Sequence, residues 1–171
     1  MGKRVAIIGG GPSGSALALQ LIRLGVEPTD LVIIDKAAFP RPKLCGGGVT
    51  YRATELLEEL VGRPEGGAIT RGLDFRCAVG SFEIREKGPQ WLYDRAYLDD
   101  LLLRHCERAG VEIRESCAVT GLVLEGDGVR VETAGWSETF PWVVGADGAR
   151  GVCRRVSGLP GGIVGRLVEA V

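Results

Sequence analysis

Three glycines and one carboxylate carry the clearest chemistry in this sequence. Gly9, Gly11 and Gly14 stand in the spacing G-x-G-x-x-G inside 9-GGGPSG-14, and Asp35 follows about 20 residues after Gly14. In that pattern the first glycine permits a tight turn and the second lets the main chain approach a pyrophosphate. The third lets a helix pack closely on a strand. Pro12 suits the first turn of that helix, where its missing N–H costs nothing, and Ser13 can add a hydroxyl contact. The helix N-terminus offers unpaired N–H groups and the positive end of its dipole to an anion. A carboxylate at Asp35 is placed to accept hydrogen bonds from an adenosine ribose, and it disfavours a 2′-phosphate. Residues 3 to 35 therefore read as a site for the ADP half of a dinucleotide.

Other residues could do chemistry with less support from their spacing alone. Asp147-Gly148, after the apolar 143-VVGA-146, is a second place where an acid and a glycine can meet a ligand at the end of a strand, and it is equally a common turn dipeptide. Arg95 and Asp99, four residues apart on an expected helix, can form a surface ion pair. Cys45, between Leu44 and 46-GGG-48, reads as a small buried hydrophobe when taken alone, although three glycines without Cβ atoms can lie against a flat ring. Lys43 and Arg41 read as solvated loop charges, with attraction of a substrate phosphate as the other reading. His105 falls on a polar helix face and is expected to be exposed, and Trp91, Trp136 and Trp142 read as core or sheet-face residues.

The elements that must position these residues follow from periodicity and punctuation. The apolar run at 5–8, bounded by glycine, is a strand buried on both faces. A helix over 12–24 with Gly25 as its stop and a second strand at 31–34 complete the strand–turn–helix–strand unit. The segment 39-FPRPKLCGGGVT-50 has two prolines and three consecutive glycines and is expected to be an irregular loop. Beyond it the pattern predicts a helix at 52–61, a small antiparallel patch at 73–76, 81–85 and 90–93, and a helix at 95–109 capped by Asp94. A strand at 111–114, a hairpin of 117–125 with 129–133 about 126-GDG-128, and a strand at 138–144 come last. A domain built only for a nicotinamide dinucleotide usually continues its βα alternation after the second strand. The Pro/Gly loop and meandering strands here favour FAD instead.

Bulk composition excludes several classes. Twenty-one basic and 22 acidic side chains give a net charge of −1 with no basic block, so nucleic acid is not an expected partner. Five cysteines (Cys45, Cys77, Cys106, Cys117, Cys153) at irregular spacing, with one histidine, support neither a disulfide framework nor a metal site. The apolar run behind Lys3 and Arg4 is too short for a secretory or spanning segment, which leads to the expectation of a cytoplasmic protein.

As a set, 9-GGGPSG-14, Asp35, 95-RAYLD-99 and 145-GADGAR-150 resemble the FAD-dependent oxidoreductases of the aromatic-hydroxylase-like superfamily. More narrowly, 40-PRPKLCGGGV-49 resembles the geranylgeranyl reductase family, which reduces carbon–carbon double bonds in isoprenoid chains. The resemblance implies a Rossmann-like three-layer α/β FAD-binding domain. Its parallel sheet would use strands near 4–8, 31–34, 111–114 and 141–145, with a small antiparallel β-meander on one side. It implies that Gly9, Gly11, Pro12, Ser13 and Gly14 hold the pyrophosphate and that Asp35, with Lys36 beside it, holds the adenosine ribose. Arg95 would meet the phosphates or ribitol, and a main-chain group near Val119 the adenine. Asp147-Gly148 would support the FAD, and Cys45, Gly46 and Gly47 would lie by the isoalloxazine, with Cys45 the one candidate catalytic side chain. NAD(P)H is the candidate electron donor, a small molecule or lipid the substrate, and peripheral membrane contact would come through that substrate. Members of the superfamily continue past the Ala-Asp-Gly strand into a substrate-binding sheet and a second glycine-aspartate segment, and often have Ser where Gly151 stands. Residues 1–171 are therefore expected to be the FAD-binding domain of something larger, a fragment or half of a split protein whose FAD site a second chain completes. Flavin-dependent monooxygenase or halogenase activity, and a non-catalytic FAD-binding fragment, are the alternatives to the reductase.

Overall fold

Four parallel strands lie at the centre of the fold, three of them written as continuous apolar runs. The computed structural model describes residues 4–158. Strands β1 (Val5–Ile8) and β2 (Leu31–Ile34) are almost wholly buried, because both faces of their sheet are covered. The sheet runs β10-β1-β2-β6, with β6 at Glu112–Arg114 and β10 at Trp142–Gly145, and every pairing is parallel.

Side chains alternate between two cores, as the period of a strand requires. Ile7, Leu31 and Ile33 point to a helical layer. It consists of α1 (Pro12–Arg23), α2 (Tyr51–Val61) and α3 (Arg95–Arg108), which contribute Ala18, Leu19, Leu57, Leu98, Leu102, Leu103 and Cys106. Ala6, Ile8, Val32 and Ile34 point the other way, onto Val131 and Phe140 of an antiparallel sheet. That sheet has the order β7-β8-β9, with β7 at Val119–Glu125, β8 at Gly128–Thr133 and β9 at Ser137–Phe140. The result is the expected three-layer α/β architecture.

Two expectations are corrected. The strand expected at 138–144 is two strands, β9 and β10, because Pro141 between them has no N–H to continue a ladder. The chain changes sheets there, from antiparallel pairing with β8 to parallel pairing with β1. The three short strands expected between 73 and 93 are one long hairpin of β4 (Ala68–Cys77) and β5 (Gly80–Leu92), to which β3 (Gly48–Val49) adds a third strand. The pair shifts register between Thr70 and Gly72, and the ladder resumes at Arg85 on β5. A short helix α4 (Val152–Val156) follows β10.

Candidate functional site

The glycine turn joins the end of β1 to the start of α1 and is fixed from three sides. Gly9 has φ of +112°, and a Cβ on it would lie 2.5 Å from Ala146 O, so the first turn rests directly on the main chain of the Ala146-Asp147 segment. A Cβ on Gly14 would overlap Gly9 O, which makes this the helix–strand contact the spacing foretold. Gly10 N donates to Asp35 Oδ2 at 2.7 Å, and Ala37 N donates to Asp35 Oδ1 at 2.8 Å. The carboxylate thus ties the turn to the chain leaving β2 and keeps further lone pairs for a ligand. Ser15, fully buried, donates from Oγ to Gly10 O at 3.1 Å.

What the turn presents outward is main chain. Gly11 is the N-cap of α1, no side chain caps the helix, and Pro12 occupies its first turn. Among the described residues, and apart from its neighbours in the chain, a Cβ built on Gly11 would meet Arg41 Nη2, at 3.4 Å. Uncapped N–H groups beside a guanidinium fit the phosphates of FAD, and a side chain at Gly11 would come against Arg41.

Arg95 and Asp99 form a buried ion pair, not the surface pair their spacing allows. Arg95 donates from Nε to Asp99 Oδ1 at 2.7 Å and from Nη2 to Oδ2 at 3.0 Å, and the two side chains are 15% and 0% exposed. Arg41, read from sequence as a solvated loop charge, joins them: its Nη2 lies 3.2 Å from Asp99 Oδ2, and the side chain is 18% exposed. Its guanidinium stands 4.7 Å from the Phe39 ring centre, and its Nη1 is buried without a hydrogen-bond partner. The hydrogen bond with Asp99 raises the Arg95 pKa above its ordinary value. A sequence signal for this cluster existed, since Asp99 shares the helix face of Leu98, Leu102, Leu103 and Cys106, where an acid needs a partner.

A cavity of about 380 Å³ adjoins this cluster. Pro12, Ser13, Cys45 and Arg95 stand around it together with Leu57 of α2 and Leu98 of α3. Cys45 is exposed, so the reading of it as a small buried hydrophobe does not hold. The three glycines beside it differ. Gly47 has φ of +68°, and a Cβ on it would collide with Tyr93 O, so it serves packing on the end of β5. Gly46 has open space in front of it, and Gly48 faces Leu92.

The other expected site residues have these surroundings. Asp147 Oδ2 accepts from Cys153 N at 3.1 Å, which turns the carboxylate toward the start of α4, while Gly148, with φ of +82°, is exposed. A Cβ on Gly151 would overlap the Asp147 carboxylate, which accounts for a glycine at that position. Val119 is half-buried at the start of β7 and packs on the second core, and Lys36 is exposed. His105 is half-buried, not exposed, and both burial and Arg108 hold its pKa below the ordinary value. Trp142, expected in the core or on a sheet face, is 67% exposed on the edge strand β10. Among the described residues no three His, Cys, Asp or Glu side chains are grouped to hold a metal, and no helix is long and apolar enough to cross a membrane.

Comparison with known proteins agrees with this geometry. Residues 3–166 match the family model described as FAD binding domain. The chain is 35% identical over 116 residues to a menaquinone reductase of Mycobacterium tuberculosis, covering 64% of this chain and 28% of the relative. It is 30% identical over 170 residues to a rifampicin monooxygenase of Streptomyces venezuelae, covering 91% of this chain and 34% of the relative. Among solved structures, the myxobacterial chondrochloren halogenase, a variant of FAD-dependent halogenases, superposes with a TM-score of 0.71 at 28% identity, covering 87% of this chain and 38% of that one. The chain thus spans about a third of the length of the relatives it matches.

Proposed function

The chain belongs to the FAD binding domain family, and from that premise we propose that it holds FAD for a flavin-dependent oxidation of an apolar small molecule, of the monooxygenase or halogenase kind. The observation that carries the reading is the cradle at the start of α1: an uncapped helix N-terminus, the Gly11 main chain and the arginines beside it. When bound, FAD supplies electron and hydride transfer and the activation of oxygen, none of which a protein side chain provides. The chain's own residues do the rest. Gly11 and the first turn of α1 receive the pyrophosphate, Arg95 balances its charge, and Asp35 keeps the turn in shape while offering lone pairs to the adenosine ribose. Leu57 and Leu98 line the cavity next to Cys45 and keep it apolar, which favours a substrate of the same character.

The monooxygenase and halogenase reading fits the longer alignments: the rifampicin monooxygenase and the halogenase structure each cover nearly all of this chain. A second reading, reduction of a carbon–carbon double bond in an isoprenoid chain, is favoured by Cys45 and its glycines at the cavity and by the relative named menaquinone reductase. One assay separates them. The FAD-loaded chain is given NADH or NADPH in air, and hydrogen peroxide is measured. In parallel it is reduced with dithionite under argon and given a menaquinone, whose mass is then followed. NAD(P)H oxidation with peroxide supports the first reading. A gain of two hydrogens in the quinone's prenyl chain supports the second and counts against the first. Retained FAD with neither reaction supports an FAD-holding unit that needs a partner chain.

A further inference from the structure

We propose that Glu115, held by Arg104, is the positioning residue that fixes residues 35–39 against the glycine turn, so that dinucleotide affinity depends on an ion pair outside the site. The inference rests on the FAD reading and goes beyond it, since neither residue belongs to the glycine motif or lines the cavity. β2 and β6 pair as far as Ile34 and Arg114, and the chains leaving them stay together. Asp35 N donates to Arg114 O at 3.0 Å, Cys117 N to Asp35 O at 2.8 Å and Ser116 N to Ala37 O at 3.1 Å. Ser116 has φ of +54°, which is unfavourable for a serine, and the bond to Ala37 O holds it there. Beyond Ala37 the pairing passes to a side chain. Phe39 N donates to Glu115 Oε1 at 3.2 Å, and Pro40 and Pro42 have no N–H to offer. Among the described hydrogen bonds of residues 38–44 this is the one made by the main chain, so the start of the loop hangs on Glu115.

Glu115 is itself held rigidly. Its Oε1 also accepts from Arg104 Nη2, and the other two nitrogens of that guanidinium are taken by Asp100 Oδ1 at 3.0 Å and Glu107 Oε2 at 2.8 Å. Arg104 is thereby fixed to its own helix, α3, and Glu115 to Arg104. The two side chains are 30% and 26% exposed, and in such a partly shielded place a charged hydrogen bond is stronger than in open water. What Glu115 anchors bears directly on the turn. The Phe39 ring is buried, and a Cβ built on Gly10 would lie 3.4 Å from its Cζ, with Leu103 Cδ1 at 3.2 Å and Asp35 Cβ at 3.5 Å. Asp35 in turn accepts from Gly10 N. Arg104, Glu115, Phe39 and Gly10 therefore form one continuous run of contacts from α3 to the glycine turn. The ion pair acts through Phe39, whose ring keeps Gly10 and the Asp35 carboxylate in place.

The test reads the anchor and the affinity separately. Amide exchange is followed by NMR in the ligand-free wild type and in Glu115→Ala, Glu115→Gln, Arg104→Met and the Glu115→Ala, Arg104→Met double variant. FAD is titrated into each by flavin fluorescence, at a temperature where melts show all of them folded. Glu115→Ala is expected to speed exchange at the Phe39 amide while the β2 amides stay protected, and to weaken FAD by roughly fivefold to tenfold. Glu115→Gln keeps an acceptor oxygen and is expected to recover most of both effects. Arg104→Met is expected to weaken FAD less than Glu115→Ala does, and the double variant no more than Glu115→Ala alone, because Arg104 acts through Glu115. A merely structural defect would lower β2 protection and melting temperature together and would not show this dependence. Unchanged Phe39 exchange in Glu115→Ala would overturn the anchor, and losses that add in the double variant would overturn the route through Glu115. If exchange rises while FAD binds as tightly as to the wild type, the positioning role is overturned and the FAD reading stands. If the wild type binds no FAD, the FAD reading falls and the positioning role with it.

Discussion

Cys106, buried against α1, and Cys153, beside Asp147, are thiols pushed up to about 12, in both cases chiefly by burial. Thiolate is the reactive form, so these two are expected to be inert at neutral pH, whereas Cys45 and Cys77 are exposed. Iodoacetamide applied to the native chain at about pH 8, just below the roughly 8.5 of a free thiol and far below that of the buried ones, is expected to label Cys45 and Cys77 and to spare Cys106 and Cys153 until denaturant is added. Peptide mapping checks this, and rapid labelling of Cys106 would contradict its packing. The single histidine gives a second residue-scale prediction. Burial and Arg108 lower the folded-state pKa of His105 below its ordinary 6.5, so the unfolded chain binds more protons in that window. Stability is therefore expected to be fully present above pH 6.5 and to fall as pH drops through the folded-state value. His105→Gln should flatten that part of a melting-temperature profile, and an unchanged profile would locate the acid sensitivity elsewhere.

At the scale of elements, the packing of α1 on β1 depends on an absent side chain. A Cβ at position 14 would overlap Gly9 O, and main chain cannot move aside as a flexible side chain does. Gly14→Ala is expected to cost about 2 to 3 kcal/mol or more in urea denaturation. A loss within experimental error would mean that helix and strand lie farther apart than described. The same elements show what the sequence discloses. β1 and β2 are legible because a strand covered on both faces has no polar position to interrupt it, and the glycine turn is legible because its spacing is local. The break at Pro141 was also present in the residues, but apolar content on both sides hid it until the pairing partners of β9 and β10 were known. Arg41 and Asp99 were harder. Their contact joins a proline-rich loop to the first turns of α3: the buried helix face marks Asp99 as needing a partner, but nothing local says that Arg41 supplies it. The Ala-Asp-Gly context makes Asp147 a candidate site residue, while its carboxylate accepts from Cys153 N and stands over Gly151, a direction that only the folded chain shows.

Taken whole, the molecule is a parallel sheet with helices on one face and an antiparallel sheet on the other, and the cradle lies where β1, β2 and the loop after β10 converge. That is the edge at which open α/β sheets receive ligands, outside the carboxyl ends of their strands. The architecture was legible in outline because charge, composition and strand spacing agreed. The direction of the proposed redox chemistry was not, because a bound flavin would perform it while the chain supplies position and surroundings. The central claim is that this fold binds FAD at the glycine turn, and Gly11→Asp addresses it most directly. Gly11 has φ of −72°, which any residue adopts, so the variant is expected to fold. Its carboxylate would stand against Arg41 and pair with it, where the phosphates are proposed to lie. The measurement is the visible absorbance of the wild-type and Gly11→Asp chains after incubation with FAD and desalting. The account predicts a flavin spectrum that stays with the wild type and is missing from the folded variant; flavin retained equally by both would contradict it.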